Sequence, residues 1–169
     1  MTLRYSAAVL AFLACAASAG AQEETENASF VGLDGAEVGA ATLTSTPAGV
    51  LIDVEVSGLP AEKWVGFHFH ETGSCDHQSA HESAGGHFNP GGKEHGFNAP
   101  NGPHAGDMPN QYVGADGVLR AQVLNTFVTL DEGENGVKGR ALMVHGGADD
   151  YKSQPSGQAG DRLACAVVK

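Results

Sequence analysis

Beyond residue 21 no stretch of the chain carries the 3.6-residue apolar period of an amphipathic helix, which excludes helical bundles and alternating helix–strand folds. It carries short alternation instead. In Val50-Leu51-Ile52-Asp53-Val54-Glu55-Val56 apolar and acidic residues alternate after Ile52, as on a strand with one buried face. Ala36 to Thr46, Trp64 to His70, Val118 to Val123, Val137 to His145 and Leu163 to Val168 read as further strands, with turns at Asp34-Gly35, Asp116-Gly117 and Glu132-Gly133. With 24 glycines, this pattern predicts an all-β fold, an antiparallel β-sandwich or barrel.

Two stretches break the pattern. Residues 71 to 115 and 146 to 162 are rich in Gly, Pro, Asn, Asp and His, and loops this long in a compact domain are functional or disordered. The first holds Cys75, His87, His95, His104 and Asp107, so ordering by metal and disulfide is the simpler reading.

Six of the chain's eight histidines can be placed as metal ligands. His68 and His70 stand at i and i+2 on a strand, so their rings leave the same face. His145 ends another strand, and imidazole-rich sites suit Cu, Zn, Fe or Ni. The set His95-x8-His104-x2-Asp107 adds a carboxylate, a mixture of donors that zinc accepts.

Export is read from the N-terminus. Arg4 gives a short positive region, Ala7 to Ala17 an apolar stretch too short to span a membrane, and Ala19-Gly20-Ala21 a small-residue cleavage site. Residues 1–21 are therefore expected to be a secretory signal peptide, 22–28 a flexible tail and 29–169 one domain. A competing reading makes Cys15 the lipidated residue of a lipoprotein box, anchoring the chain in the envelope. Either route leads to a periplasm or the exterior, where Cys75 and Cys165 form an even pair suited to a disulfide. Cleavage after Ala21 leaves 8 basic and 20 acidic residues, a formal charge of −12 that repels nucleic acid and anionic lipid. No transmembrane segment is expected.

Taken in order, Gly66-Phe67-His68-Phe69-His70, His87-Phe88-Asn89-Pro90, the spacing from His87 through His95 and His104 to Asp107, Met143-Val144-His145 and Gly160-Asp161-Arg162-Leu163-Ala164-Cys165 resemble the copper/zinc superoxide dismutases. The resemblance runs from about Ser29 to Val168. It implies a Greek-key β-sandwich or barrel of about eight strands with two long functional loops, a metal/disulfide loop and an electrostatic loop. It also implies one copper and one zinc per chain. His68, His70, His87 and His145 match the copper ligands, and His87, His95, His104 and Asp107 the zinc ligands, with His87 bridging. Asp149 matches a carboxylate linking His68 to His95, and Arg162 matches an arginine that attracts and orients superoxide beside copper. Arg162 and His87 are thus the expected catalytic residues.

Lys93 and Lys152 are expected at the rim of the site, or else as ordinary solvated lysines, and Ser156 at its mouth. His77 and His81 fall off the family's ligand positions; an auxiliary copper-acquisition site and solvated loop histidines are the two readings, the second the simpler. Bacterial members differ in whether they dimerise, so a homodimer stays open. An exported copper- and zinc-binding protein without turnover, and a sandwich using metals only for stability, are the alternatives to an enzyme. A copper-only enzyme would lack His95 and His104.

Overall fold

The computed structural model describes residues 24–169, so the expected signal peptide and Cys15 lie outside the described residues. Among the described residues nine strands form one sheet: β1 (Thr25–Gly32), β2 (Glu37–Thr46), β3 (Gly49–Val56), β4 (Lys63–Val65), β5 (Phe67–His70), β6 (Gln111–Val113), β7 (Leu119–Asn125), β8 (Ala141–His145) and β9 (Arg162–Val167). Their order is β4-β6-β7-β3-β2-β1-β9-β8-β5, and every pairing is antiparallel. The two edge strands, β4 and β5, are separated in sequence only by Gly66. One residue cannot span an open sheet, so the sheet curls until its edges nearly meet. A Cβ on Gly66 would lie 2.9 Å from the Ala159 Cβ and 3.0 Å from the His68 ring, so this corner requires glycine.

Alternation decides what faces inward. Along β3, Val50, Ile52, Val54 and Val56 are buried while Asp53 and Glu55 are exposed. With Phe30, Leu43, Phe67, Phe69, Leu119 and Leu142 they fill the barrel, each stabilising the fold by roughly 1.5–3 kcal/mol. β5 and β8 are buried on both faces. Phe67 and Phe69 point into the barrel, so His68 and His70 must point out, beneath the long loops. Register sets His68 against Met143 and His70 against Ala141, which puts His145 on the same outer face.

The structure departs from the sequence expectation in four places. Residues 25–28, expected in a mobile tail, are the first half of β1, because they pair with β2 and Lys138 binds Glu24 and Glu26 at 2.8 and 2.7 Å. The strand expected over 64–70 is two, broken at Gly66. Residues 137–140 precede β8 as a turn, in which the Val137 N–H donates to the Thr129 carbonyl at 3.0 Å. β6 lies inside the expected loop; this, the split strand and β1, which precedes every strand read from the sequence, bring the six strands read there to nine among the described residues. Cys75 and Cys165 are joined by a disulfide, with Cα atoms 5.6 Å apart, tying the first long loop to β9.

Candidate metal centre

The first long loop returns to lie against β5. The Phe88 N–H donates to the Phe69 carbonyl at 2.8 Å, and the Phe69 N–H donates to the Gly106 carbonyl at 2.9 Å. A Cβ on Gly106 would sit 2.5 Å from the Phe69 oxygen, so the approach depends on glycine there. His87 comes opposite His70, and Asp107 opposite His68, as isolated bridges.

Two groups of buried side chains result. His68, His70, His87 and His145 each offer one ligand atom within 4.8 Å of the others, and so do His87, His95, His104 and Asp107. The outer ring nitrogens of the first group are engaged: His68 Nε2 with Asp149 Oδ2 at 2.9 Å, His70 Nδ1 with the Gly85 carbonyl at 2.9 Å, and His145 Nδ1 with the Gly160 carbonyl at 3.4 Å. The inner nitrogens have no such use. His68 Nδ1 and His87 Nε2 are buried without a partner, and the Nε2 atoms of His70 and His145 face each other at 3.4 Å. Fixed outer contacts with free inner lone pairs are what a metal ion requires, and four imidazoles suit copper. In the second group His87 Nδ1 and His95 Nδ1 each lie 3.0 Å from Asp107 Oδ1, and His104 Nδ1 lies at 3.5 Å. Three nitrogens and a carboxylate suit zinc. The residues present fit both ions.

Electrostatics divides the two groups. Burial, followed by the neighbouring imidazoles, pushes His145 down to about 3 and His70 well below its ordinary range. Burial also takes His87 down to about 4, against the pull of Asp107. These rings are neutral, the form that binds metal. On the other side burial opposes charge too, but hydrogen bonds to Asp107 and Asp149 raise His95 to about 9. Burial likewise works against the Asp107 carboxylate, yet His104, His87, His95 and the Gly96 N–H hold it well below the usual carboxylate range. A metal held by this group would take the place of a proton on His95.

Asp149 joins the groups. Its Oδ2 takes His68 Nε2, and its Oδ1 takes His95 Nε2 at 3.0 Å and the Tyr151 N–H at 2.6 Å. Arg162 stands at the wall of an open cavity of about 260 Å³ lined also by His70, Glu82, Gly86, His87, His145, Pro155, Ser156 and Gly160. Its guanidinium donates to the carbonyls of His81 and Gly85, both at 2.8 Å.

Not every expectation places a residue here. Ser156 lines the cavity; Lys93 and Lys152 are exposed on the loops and do not line it. His77 and His81 join neither group. The His81 ring is not solvated: it is fully buried, turned under the loop by a left-handed backbone (φ 61°), with both nitrogens unpartnered. Sequence reasoning missed Glu71, Glu82 and Asn110. Only Glu82 left a signal, as one of the two acidic residues between Cys75 and His87.

Comparison with known proteins agrees with this geometry. Residues 37–168 match the family model described as copper/zinc superoxide dismutase (SODC). A relative named superoxide dismutase [Cu-Zn] 1 from Aquifex aeolicus is 50% identical over 153 residues, covering 88% of this chain and 90% of its own. The Escherichia coli K12 superoxide dismutase [Cu-Zn] is 36% identical, with 98% of this chain and 99% of the relative covered. Among solved structures, a SOD-like protein from Bacillus subtilis superposes with a TM-score of 0.80 at 38% identity, covering 85% of this chain and 97% of the other. The Cu/Zn superoxide dismutase from Brucella abortus gives 0.72 at 30% identity, covering 86% and 100%. The likeness spans the barrel and both loops that build the two histidine groups, and the chain belongs to the copper/zinc superoxide dismutase family.

Proposed function

We propose that this chain disproportionates superoxide into oxygen and hydrogen peroxide, with His68, His70, His87 and His145 holding copper and His87, His95, His104 and Asp107 holding zinc. The observation that carries this reading is the placement of the His87 ring. Its Nδ1 faces Asp107 in one group while its buried, unpartnered Nε2 faces the histidines of the other. Copper, when bound, supplies a one-electron couple that two superoxide ions use in turn, and zinc a fixed positive charge.

The remaining work falls to the chain. Arg162 attracts superoxide into the cavity and orients it, which a chain of net charge −11 needs for fast encounter with an anion. Two superoxide ions consume two protons. His87 holds one of these on Nε2 while its Nδ1 stays anchored beside Asp107, and water supplies the other. Asp149 keeps the His68 and His95 rings in register, so the two groups move as one.

Residues 1–21 act as a signal peptide and the remainder as one catalytic domain, delivered to the periplasm or outside the cell; lipidation at Cys15 would anchor the same domain in the envelope. Among the described residues no helix is long and apolar enough to cross a membrane. A homodimer is the assembly to test. The deciding experiment measures superoxide consumption by purified protein with and without added copper and zinc, with both metals counted per chain. Copper-dependent turnover with one ion of each supports the enzyme; full loading without turnover makes the chain a metal-binding protein.

A further inference from the structure

Glu71 is the first residue past β5 and carries an exposed carboxylate beside a site that receives an anion. Charge alone argues against an acid at this position. Its contacts supply the reason for it. Glu71 Oε1 accepts from the Gly86 N–H at 3.0 Å, and the Glu71 N–H donates to the Gly86 carbonyl at 2.9 Å. The Gly86 N–H belongs to the same planar peptide unit as the Gly85 carbonyl, so fixing one end fixes the direction of the other. That carbonyl accepts from His70 Nδ1 at 2.9 Å and from Arg162 at 2.8 Å.

A peptide between two glycines is otherwise the easiest to rotate. Gly85 has φ 74° and ψ −155°, a region that side chains exclude, and a Cβ there would meet Glu71 Oε1 at 2.6 Å. The carboxylate therefore occupies the space that glycine leaves and locks the peptide it could otherwise turn. Arg140 steadies Glu71 from behind, donating to its carbonyl while lying 4.7 Å over the Phe88 ring.

We propose that Glu71 is a positioning residue: through the Gly85–Gly86 peptide, one carboxylate sets the orientation of His70 and Arg162 together. The inference rests on the metal assignment proposed above. It separates reach from charge, because glutamine keeps an oxygen at the same distance without the charge, while aspartate keeps the charge one methylene short.

The test uses copper- and zinc-loaded wild type, Glu71→Gln, Glu71→Asp and Glu71→Ala, with metal content verified. The Cu(II) electron paramagnetic resonance spectrum and the affinity for azide, a small-anion probe, are measured beside the second-order rate with superoxide. Glu71→Gln should keep the wild-type spectrum and azide affinity, with a rate at least equal to wild type at low salt. Glu71→Asp and Glu71→Ala should both shift the spectrum and weaken azide and the rate on the order of tenfold, the usual scale for an outer contact of a metal site. A Glu71→Asp protein that matches wild type, or a Glu71→Gln protein that matches Glu71→Ala, overturns the proposal. Wild-type protein that fails to turn over overturns the enzymatic reading instead, and leaves the spectral and azide contrasts to decide on Glu71.

Discussion

Asn110 holds Asp149 by both polar groups of its backbone: the Asn110 Nδ2 donates to the Asp149 carbonyl and the Asp149 N–H donates to Asn110 Oδ1, each at 2.8 Å. Asn110 immediately precedes β6, so a carboxylate on the second long loop is pinned to the barrel. The Asn110 N–H in turn donates to the Tyr151 hydroxyl at 2.6 Å. Asp149 can span His68 and His95 because its own backbone cannot drift.

Asn110→Ala removes both of these bonds and leaves the Asp149 backbone groups to find others. Loss of a pair of hydrogen bonds costs about 1–3 kcal/mol, and a loosened Asp149 should weaken zinc on the order of tenfold. Chelator competition for zinc, alongside a melting curve of the metal-free protein, checks both. Unchanged zinc affinity would mean that the two histidine contacts alone set the carboxylate.

Arg162→Ala should lower the rate on the order of tenfold and flatten its dependence on salt, with copper and zinc content intact. Among the described residues Arg162 is the one Lys or Arg lining the cavity, facing Glu82 at 3.6 Å, so the local attraction and its screening depend on it. Rates measured across ionic strengths decide this; a preserved salt slope assigns steering elsewhere.

Strand residues and the residues of the two buried histidine groups were legible in the sequence for different physical reasons. The alternation of Val50 to Val56 records a half-buried strand directly, and His68-Phe69-His70 records one strand with a face in the core and a face in the site. β6 was not legible, because a three-residue strand in a Gly- and Asn-rich stretch is defined by pairing with β4 and β7, not by its own composition. Residues 25–28 were hidden in the same way: Glu26 and Asn27 look solvated, and what orders them is the partner strand and Lys138, more than 110 residues away. Glu71, Asn110 and the buried His81 act on or through backbone groups distant in sequence, which no side-chain motif encodes. Gly66 was visible within its motif, but not the strand break that its close contacts impose.

His81 predicts a loss of stability in acid. Burial first, then His77 and Arg162, lower its pKa below the ordinary 6.5, outweighing the Cys75 carbonyl and Asp76. Below about 6.5 the unfolded chain binds a proton that the folded ring resists, so stability falls as pH drops from there through the folded pKa. The slope from one proton is at most about 1.4 kcal/mol per pH unit. Urea unfolding at pH 7.5 and 5.5 should show a smaller drop for His81→Leu than for wild type. Equal drops would place the acid sensitivity in other groups.

The disulfide and Arg162 are two clamps from the same strand onto the same loop segment. Cys165 bonds Cys75 from β9, and Arg162, three residues earlier, holds the carbonyls of His81 and Gly85. Cys75→Ser removes the covalent clamp and leaves the hydrogen-bonded one. The bridge closes a segment with a sequence separation of 90, worth about 4.6 kcal/mol on the chain-entropy account. For a domain of this size that lowers the melting temperature by on the order of 10 °C. Metal retention should weaken as well, because the segment it anchors ends at His87, which contributes to both groups. Calorimetry and elemental analysis on the same samples check the two effects together: a variant that melts lower yet keeps both metals would show that the Arg162 clamp alone holds His87 in place, and one that changes in neither would show that the bridge contributes to neither.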